Sequence, residues 1–157
     1  RKNEVQLVLV GIGRQKFYLE FLVQELGLSK SVTFTGFIPD QDLQNIYRIA
    51  DIFIIAGIAE LQSIVTMEAM ASGLPVVAVN AMALPELVHD GENGYLFNDG
   101  DSQMLAERVV SVLSDSKLRS RMQVKSLEII RKHSAGKTIE AFESLYQEVI
   151  SRHKHGG

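Results

Sequence analysis

The sequence predicts an α/β fold, a three-layer doubly wound parallel sheet with a helical C-terminal segment. Three observations predict it. Short runs rich in Val, Ile and Leu recur between stretches of helical spacing. The first of those runs, "VQLVLV", is apolar at nearly every residue rather than at every second one, as expected of a strand covered on both faces. From residue 101 onward the strand pattern stops and only helical spacing remains.

The elements follow in order. "VQLVLVGIG", residues 5–13, reads as a buried parallel strand feeding a tight Gly-x-Gly turn. Residues 15–27 read as an amphipathic helix closed by Gly27. "SVTFTG" is a second strand. Pro39 and Asp40 suit a helix start, and Leu43, Ile46, Tyr47 and Ala50 follow at helical spacing. "DIFIIAG" is a third strand, and a helix beginning near Leu61 follows it. "LPVVAVN" is a fourth strand. A short helix at 84–88 leads through the turn cluster "DGENG" into "YLF". Asp101 caps a helix carrying Leu105, Val109, Val112 and Leu113. Asp115 opens another through Leu118, Met122 and Leu127. The last, about 138–152, carries Ile139, Phe142, Leu145, Tyr146 and Val149 before a basic tail, "SRHKHGG".

A chain of 157 residues can bury a core as one domain. Its 46% hydrophobic and 22% charged residues are those of a globular protein, and its net charge of -3 exerts no general pull on nucleic acid or anionic membrane. With no cysteine there are no disulfides, thiolate metal sites or cysteine nucleophiles. No apolar run reaches membrane-spanning length and no signal-peptide pattern opens the chain. The chain starts at Arg1 and runs almost at once into a strand, which reads as a piece of something longer.

Ligands on such sheets bind beyond the carboxyl ends of the strands. There stand Gly11 to Arg14, Gly36 to Pro39, Ala56 to Ser63, and Asn80 to Pro85. Gly11 and Gly13 let backbone approach a ligand, or simply make a tight turn; the third glycine of a dinucleotide fingerprint is absent, Lys16 standing in its place. Leu61, Gln62 and Ser63 are expected to form the first turn of the next helix, whose free amides and positive dipole end make an anion site. That helix is apolar or small almost all round, which predicts burial, yet it contains Glu68. A buried carboxylate either hides an internal hydrogen bond or faces a polar ligand; a carboxylate accepting from two hydroxyls is the usual way to hold a ribose diol. Glu60 stands at the helix mouth, either solvated or facing the crevice. A helix from 61 onward sets the two carboxylates about 10–12 Å apart, too far for a retaining pair acting on one glycosidic bond. His89, His133, His153 and His155 form no metal-ligand pair and read as surface residues.

The strings "LVLVGIG", "VTFTGFIPDQDLQNIYRIADIFI", "AELQSIVTMEAMASGLPVVAVN", "LPELVHDGENGYLF" and "DSQMLAERVVSVLSD" run along most of the chain. Together they resemble the Rossmann-like C-terminal domain of group 1 (family 4) retaining glycosyltransferases of the GT-B fold. The most specific is Glu60-x7-Glu68 followed by Ala-Met-Ala-x-Gly-x-Pro-Val-Val-Ala. The resemblance implies that Glu68 holds the ribose of a nucleotide-sugar donor. It implies that Glu60, the catalytic position, contacts the donor sugar. The amides of Ser63, Ile64 and Val65 match the helix start that binds diphosphate and sugar. Phe37 and Ile38 match the loop lining the nucleobase, and Gly11 and Gly13 the turn beneath the donor, with Arg14 and Lys16 beside it. This chain departs from the family's usual Glu-Gly-Phe-Gly at Glu60-Leu61-Gln62-Ser63, and from its Gly-Gly pair at Met82-Ala83. Gln62 is similar to a Glu-Thr-Gln-Gly variant of diacylglycerol glucosyltransferases, which points to lipid acceptors.

The resemblance further implies that 1–157 is a single donor-binding domain lacking its first strand-helix unit, with an Arg and a Lys for the diphosphate, and the N-terminal acceptor domain. Its partners are then a nucleotide-diphosphate sugar (UDP- or GDP-sugar) and that acceptor domain, with no nucleic acid; peripheral membrane association would run through the missing domain. It requires no cofactor and no metal. The expected place is the cytoplasm, at the inner face of the membrane for a lipid acceptor, and the isolated fragment is expected to be inactive. Two alternatives stay open at this point: a flavodoxin-like receiver or binding module, and a GT-B nucleotide-sugar epimerase.

Overall fold

The computed structural model describes residues 5–154, the side chains of Ala135, His153 and Lys154 excepted; His155 and the end of the basic tail lie outside the described residues. The chain has the α/β Rossmann-like class expected of it, parallel sheets with flanking helices and a helical C-terminal segment. It forms two compact units, one ending at Ile46 and the other beginning at Tyr47.

In the first unit, β1 (Leu7–Val10) and β2 (Val32–Gly36) are joined by α1 (Lys16–Glu25). The strands pair in parallel, Leu7 opposite Val32 and Leu9 opposite Phe34, with a register slip between Leu9 and Val10. Gly27 ends α1 as predicted. Its φ of 67° lets the Gly27 amide reach the Gln24 carbonyl (3.0 Å) and the Leu28 amide the Val23 carbonyl (2.9 Å), the paired bonds of a Schellman stop. The expectation that β1 is buried is corrected. Leu7, Val8 and Val10 are 41%, 39% and 43% exposed. The reason is supply: no described residue of this unit is buried, and α1 leaves Phe17 and Phe21 open rather than covering the pair. The boundary falls within α2 (Asp40–Ile49), whose last turn, from Tyr47, belongs to the second unit; α2 is opened by the Pro39 carbonyl, which accepts from the Asp42 and Leu43 amides.

The second unit holds the core. Strands β3 (Phe53–Ile55), β4 (Val76–Val79) and β5 (Gly94–Phe97) lie in that order, all parallel. Helices α3 (Ile64–Ala71) and α4 (Leu84–Leu87) connect them, and α5 (Ser102–Ser114) and α6 (Ser116–Ile130) follow. Every residue of β4 is fully buried, as its unbroken Val-Val-Ala-Val run requires of a central strand. Around it pack Met70, Leu84, Val88, Phe97 and Ile129. The predicted caps are in place. Asp101 accepts from the Met104 amide at 2.8 Å, and Asp115 from the Lys117 and Leu118 amides at 2.9 and 3.0 Å.

Two polar groups are tied into this core. Asn93, fully buried, donates to the Leu87 carbonyl and accepts from the His89 amide, fixing the turn before β5. Ser126 of α6 donates to the Leu74 carbonyl at 2.7 Å. After a short 3-10 turn (Arg131–His133), α7 (Ala135–Lys154) closes the described chain, starting three residues earlier than predicted. Its apolar positions Ile139, Phe142, Leu145, Tyr146 and Val149 are all more than half exposed.

Candidate functional site

The predicted residues fall into two sets, one in each unit. In the first unit the ends of β1 and β2 meet. The Gly11 amide donates to the Gly36 carbonyl at 2.9 Å, which sets the Gly11–Gly13 turn beside the loop carrying Phe37 and Ile38. Gly11 takes a φ of 120°, open to glycine alone, and no described atom crowds the place of a side chain at Gly11 or Gly13. Phe37 is 73% exposed, Ile38 is half-buried and Arg14 is exposed. Lys16 pairs with Glu20 at 3.6 Å, one turn along α1.

In the second unit the set is Glu60, Ser63, Ile64, Val65 and Glu68. Here two expectations are corrected. Leu61, Gln62 and Ser63 are not a helical turn; α3 begins at Ile64. Ser63, the residue before it, stands in the left-handed region (φ 44°, ψ 61°), which breaks the helix on its N-terminal side. The separation of the two glutamates therefore does not follow from helical rise. Glu68, in turn, is exposed rather than buried. Thr66, Ala69 and Met70 turn inward, while Ile64 (59%), Val65 (39%) and Glu68 face outward. A largely apolar sequence hid a helix with one open side.

That open side has a definite chemistry. The Thr66 and Met67 amides donate to the Ser63 carbonyl, so the first bonds of α3 are made there. The amides of Ile64 and Val65 precede these bonds and take no acceptor among the described residues, as the first amides of any helix are left. The Ser63 hydroxyl meets the Thr66 hydroxyl at 2.7 Å, a buried contact that pins the turn. Glu60 is half-buried, and its carbonyl accepts from the Ala83 amide at 3.2 Å. The segment after β3 is thereby tied to the segment after β4, both at carboxyl ends of neighbouring strands.

One member of this set was missed. Tyr47 of α2 is 6% exposed, and its hydroxyl donates to Glu68 Oε2 at 3.2 Å, with the Val65 carbonyl at 3.4 Å. Its ring stands edge-on to Phe53 of β3, centroids 6.0 Å apart. Burial, then the negative charge of Glu68 and the hydrogen bond to it, push the phenol up from 10.0 to about 12. The available signal was the polar tip of a ring on the apolar face of α2, which needs a partner when buried.

Two Asp-x-Asp strings occur, at 40–42 and 99–101. Asp40 and Asp42 lie in the first turn of α2, and Asp101 caps α5. Among the described residues no three of His, Cys, Asp and Glu gather as metal ligands. His89 is exposed and faces Glu92 at 3.8 Å. A hollow of about 310 Å³ lined by Lys132, Lys137, Thr138, Ala141, Phe142 and Leu145 contains none of the candidate residues.

The family described as glycosyl transferases group 1 matches residues 1–127. The chain belongs to the group 1 glycosyltransferase family. Among its relatives, the D-inositol 3-phosphate glycosyltransferase of Corynebacterium efficiens is 35% identical over 136 residues, 87% of this chain and 32% of that protein. The phosphatidyl-myo-inositol mannosyltransferase of Mycobacterium leprae is 32% identical over 150 residues, 95% of this chain and 39% of that protein. Among solved structures, Anabaena Alr3699/HepE in complex with UDP superposes with a TM-score of 0.80 at 28% identity, over 91% of this chain and 41% of that one. This group 1 glycosyltransferase chain thus spans about a third of the length of the first curated relatives it matches.

Proposed function

We propose that this chain is the donor-binding domain of a retaining glycosyltransferase. The enzyme transfers a hexosyl group from a nucleoside-diphosphate sugar, UDP- or GDP-linked, to a lipid or glycan acceptor. The observation that carries the reading is the open side of α3. A single exposed carboxylate, Glu68, stands one turn beyond helix-start amides that no described acceptor occupies. Carboxylate oxygens suit a ribose diol, and free amides at a positive helix end suit a diphosphate. Glu60 then serves the donor sugar.

Transfer builds negative charge on the leaving diphosphate, and preorganised amides meet it without reorganisation. With basic side chains from the rest of the polypeptide, that arrangement needs no metal ion. The acceptor is held by an N-terminal domain of the same polypeptide, so the domain alone is inactive. UDP in the solved neighbour supports a uridine donor, and the phosphatidyl-myo-inositol mannosyltransferase among the relatives supports a lipid acceptor.

The test is ligand choice. UDP, GDP and ADP are titrated against the chain while thermal unfolding is followed. A ligand at one hundred times its Kd adds about 2.7 kcal/mol of stability. Stabilisation by one of the three is expected, and binding by none of them removes the donor-domain reading.

A further inference from the structure

Glu68 poses a problem of order. It is exposed on the surface of α3, and an exposed glutamate is free to turn about several bonds. A ribose diol is recognised well only by a carboxylate already facing it. The described chain supplies one restraint on that carboxylate, and it comes from another element. The Tyr47 hydroxyl reaches Glu68 Oε2 at 3.2 Å. Tyr47 is itself fixed. It is the one buried residue of α2, and its ring is held edge-on by Phe53 of the sheet.

The hydroxyl has a second acceptor within reach, the Val65 carbonyl at 3.4 Å. It carries one proton, and the nearer, ionised oxygen is the stronger acceptor. Oε1 of Glu68 receives no hydrogen bond from the described residues. Of the two carboxylate oxygens, one is therefore held by the protein and the other is left for a ligand.

We propose that Tyr47 is a positioning residue of the donor site, holding Glu68 Oε2 so that the carboxylate is presented to the two hydroxyls of the donor ribose. This rests on the reading of Glu68 as the ribose-binding residue. It adds a residue that touches no substrate and acts only through Glu68. The high phenol pKa agrees with it, because the proton stays on the hydroxyl that donates to the carboxylate.

The experiment pairs the Tyr47 hydroxyl with the ribose hydroxyls. Tyr47→Phe keeps the ring and its contact with Phe53. Wild type, Tyr47→Phe and Glu68→Gln are titrated by calorimetry with whichever of UDP, GDP and ADP binds wild type most tightly, and with its 2′,3′-dideoxy form. Tyr47→Phe is expected to weaken the natural nucleotide roughly five- to tenfold and to leave the dideoxy form unchanged. Equal weakening of both ligands overturns the proposal, since a general packing defect does not sense the diol. No weakening of the natural nucleotide by Tyr47→Phe, with Glu68→Gln still weakening it, overturns the role of Tyr47 and leaves the donor reading standing. Binding of no nucleotide to wild type overturns both.

Discussion

The Ala83 amide donates to the Glu60 carbonyl across 3.2 Å, joining two loops that each contain a strained residue. Ser63 (φ 44°) and Met82 (φ 50°) are the two described residues other than glycine with positive φ. Both stand where the family pattern carries glycine. Each holds a backbone conformation that glycine takes without strain.

Met82→Gly is therefore expected to stabilise the protein by about 0.5–1 kcal/mol, the left-handed penalty removed less the entropy glycine loses on folding. Met82 is 58% exposed, so little packing goes with it. Ser63 differs, because its hydroxyl meets Thr66. Ser63→Gly should be close to neutral, while Ser63→Ala, which keeps the strain and loses the bond, should cost about 1 kcal/mol. Urea midpoints at constant m-value measure all three. A destabilised Met82→Gly would show that no strain is stored there.

Gly94 is required for another reason. A Cβ there would overlap the Val76 carbonyl across the β4–β5 pair. Gly94→Ala should cost about 3 kcal/mol through forced separation of the strands. Equilibrium unfolding checks it, and a loss below the noise would mean that β5 shifts freely.

The two glutamates should divide their labour. Glu68→Gln turns a double acceptor into a mixed donor and acceptor, and should weaken bare nucleotide roughly tenfold. Glu60→Gln should leave bare nucleotide affinity unchanged and slow transfer in the polypeptide that carries the acceptor domain. Calorimetry and turnover assays separate the two. Equal loss of nucleotide affinity in both variants would refute the division.

Tyr47 gives an alkaline signature. In the unfolded chain its phenol loses a proton near 10.0; in the folded chain it holds it to about 12. Below pH 10 both states are protonated and stability is unaffected. Between about 10 and 12 the folded state binds the extra proton, so stability falls as pH rises. Tyr47→Phe should lack that part of the decline. Parallel stability curves for wild type and variant over this window would contradict it.

Much of this was legible because it is local. Asp101 and Asp115 announce their helices through amides two and three residues on, and Gly27 ends α1 through bonds within one turn. The Val-Val-Ala-Val run of β4 reads as a central strand because every residue needs cover. What was hidden depends on distance or on supply. Periodicity counted Ile64 and Val65 as core, but both stand on the exposed side of α3. Tyr47 and Glu68 are 21 residues apart, and only the fold brings a phenol to a carboxylate. The left-handed turn at Ser63 was invisible because serine does not advertise it as glycine would.

The bond from Ser126 to the Leu74 carbonyl joins two groups that are synthesised well apart in time. A growing chain emerges from its first residue to its last. The carbonyl leading into β4 must wait for a donor 52 residues downstream. At about 5–20 residues per second, that is a wait of roughly 3–10 seconds. Through it β4 lacks first its β5 neighbour, then the helix whose Ile129 closes over it. The central strand therefore has its full cover only once α6 has been made, although it lies early in that unit's sequence.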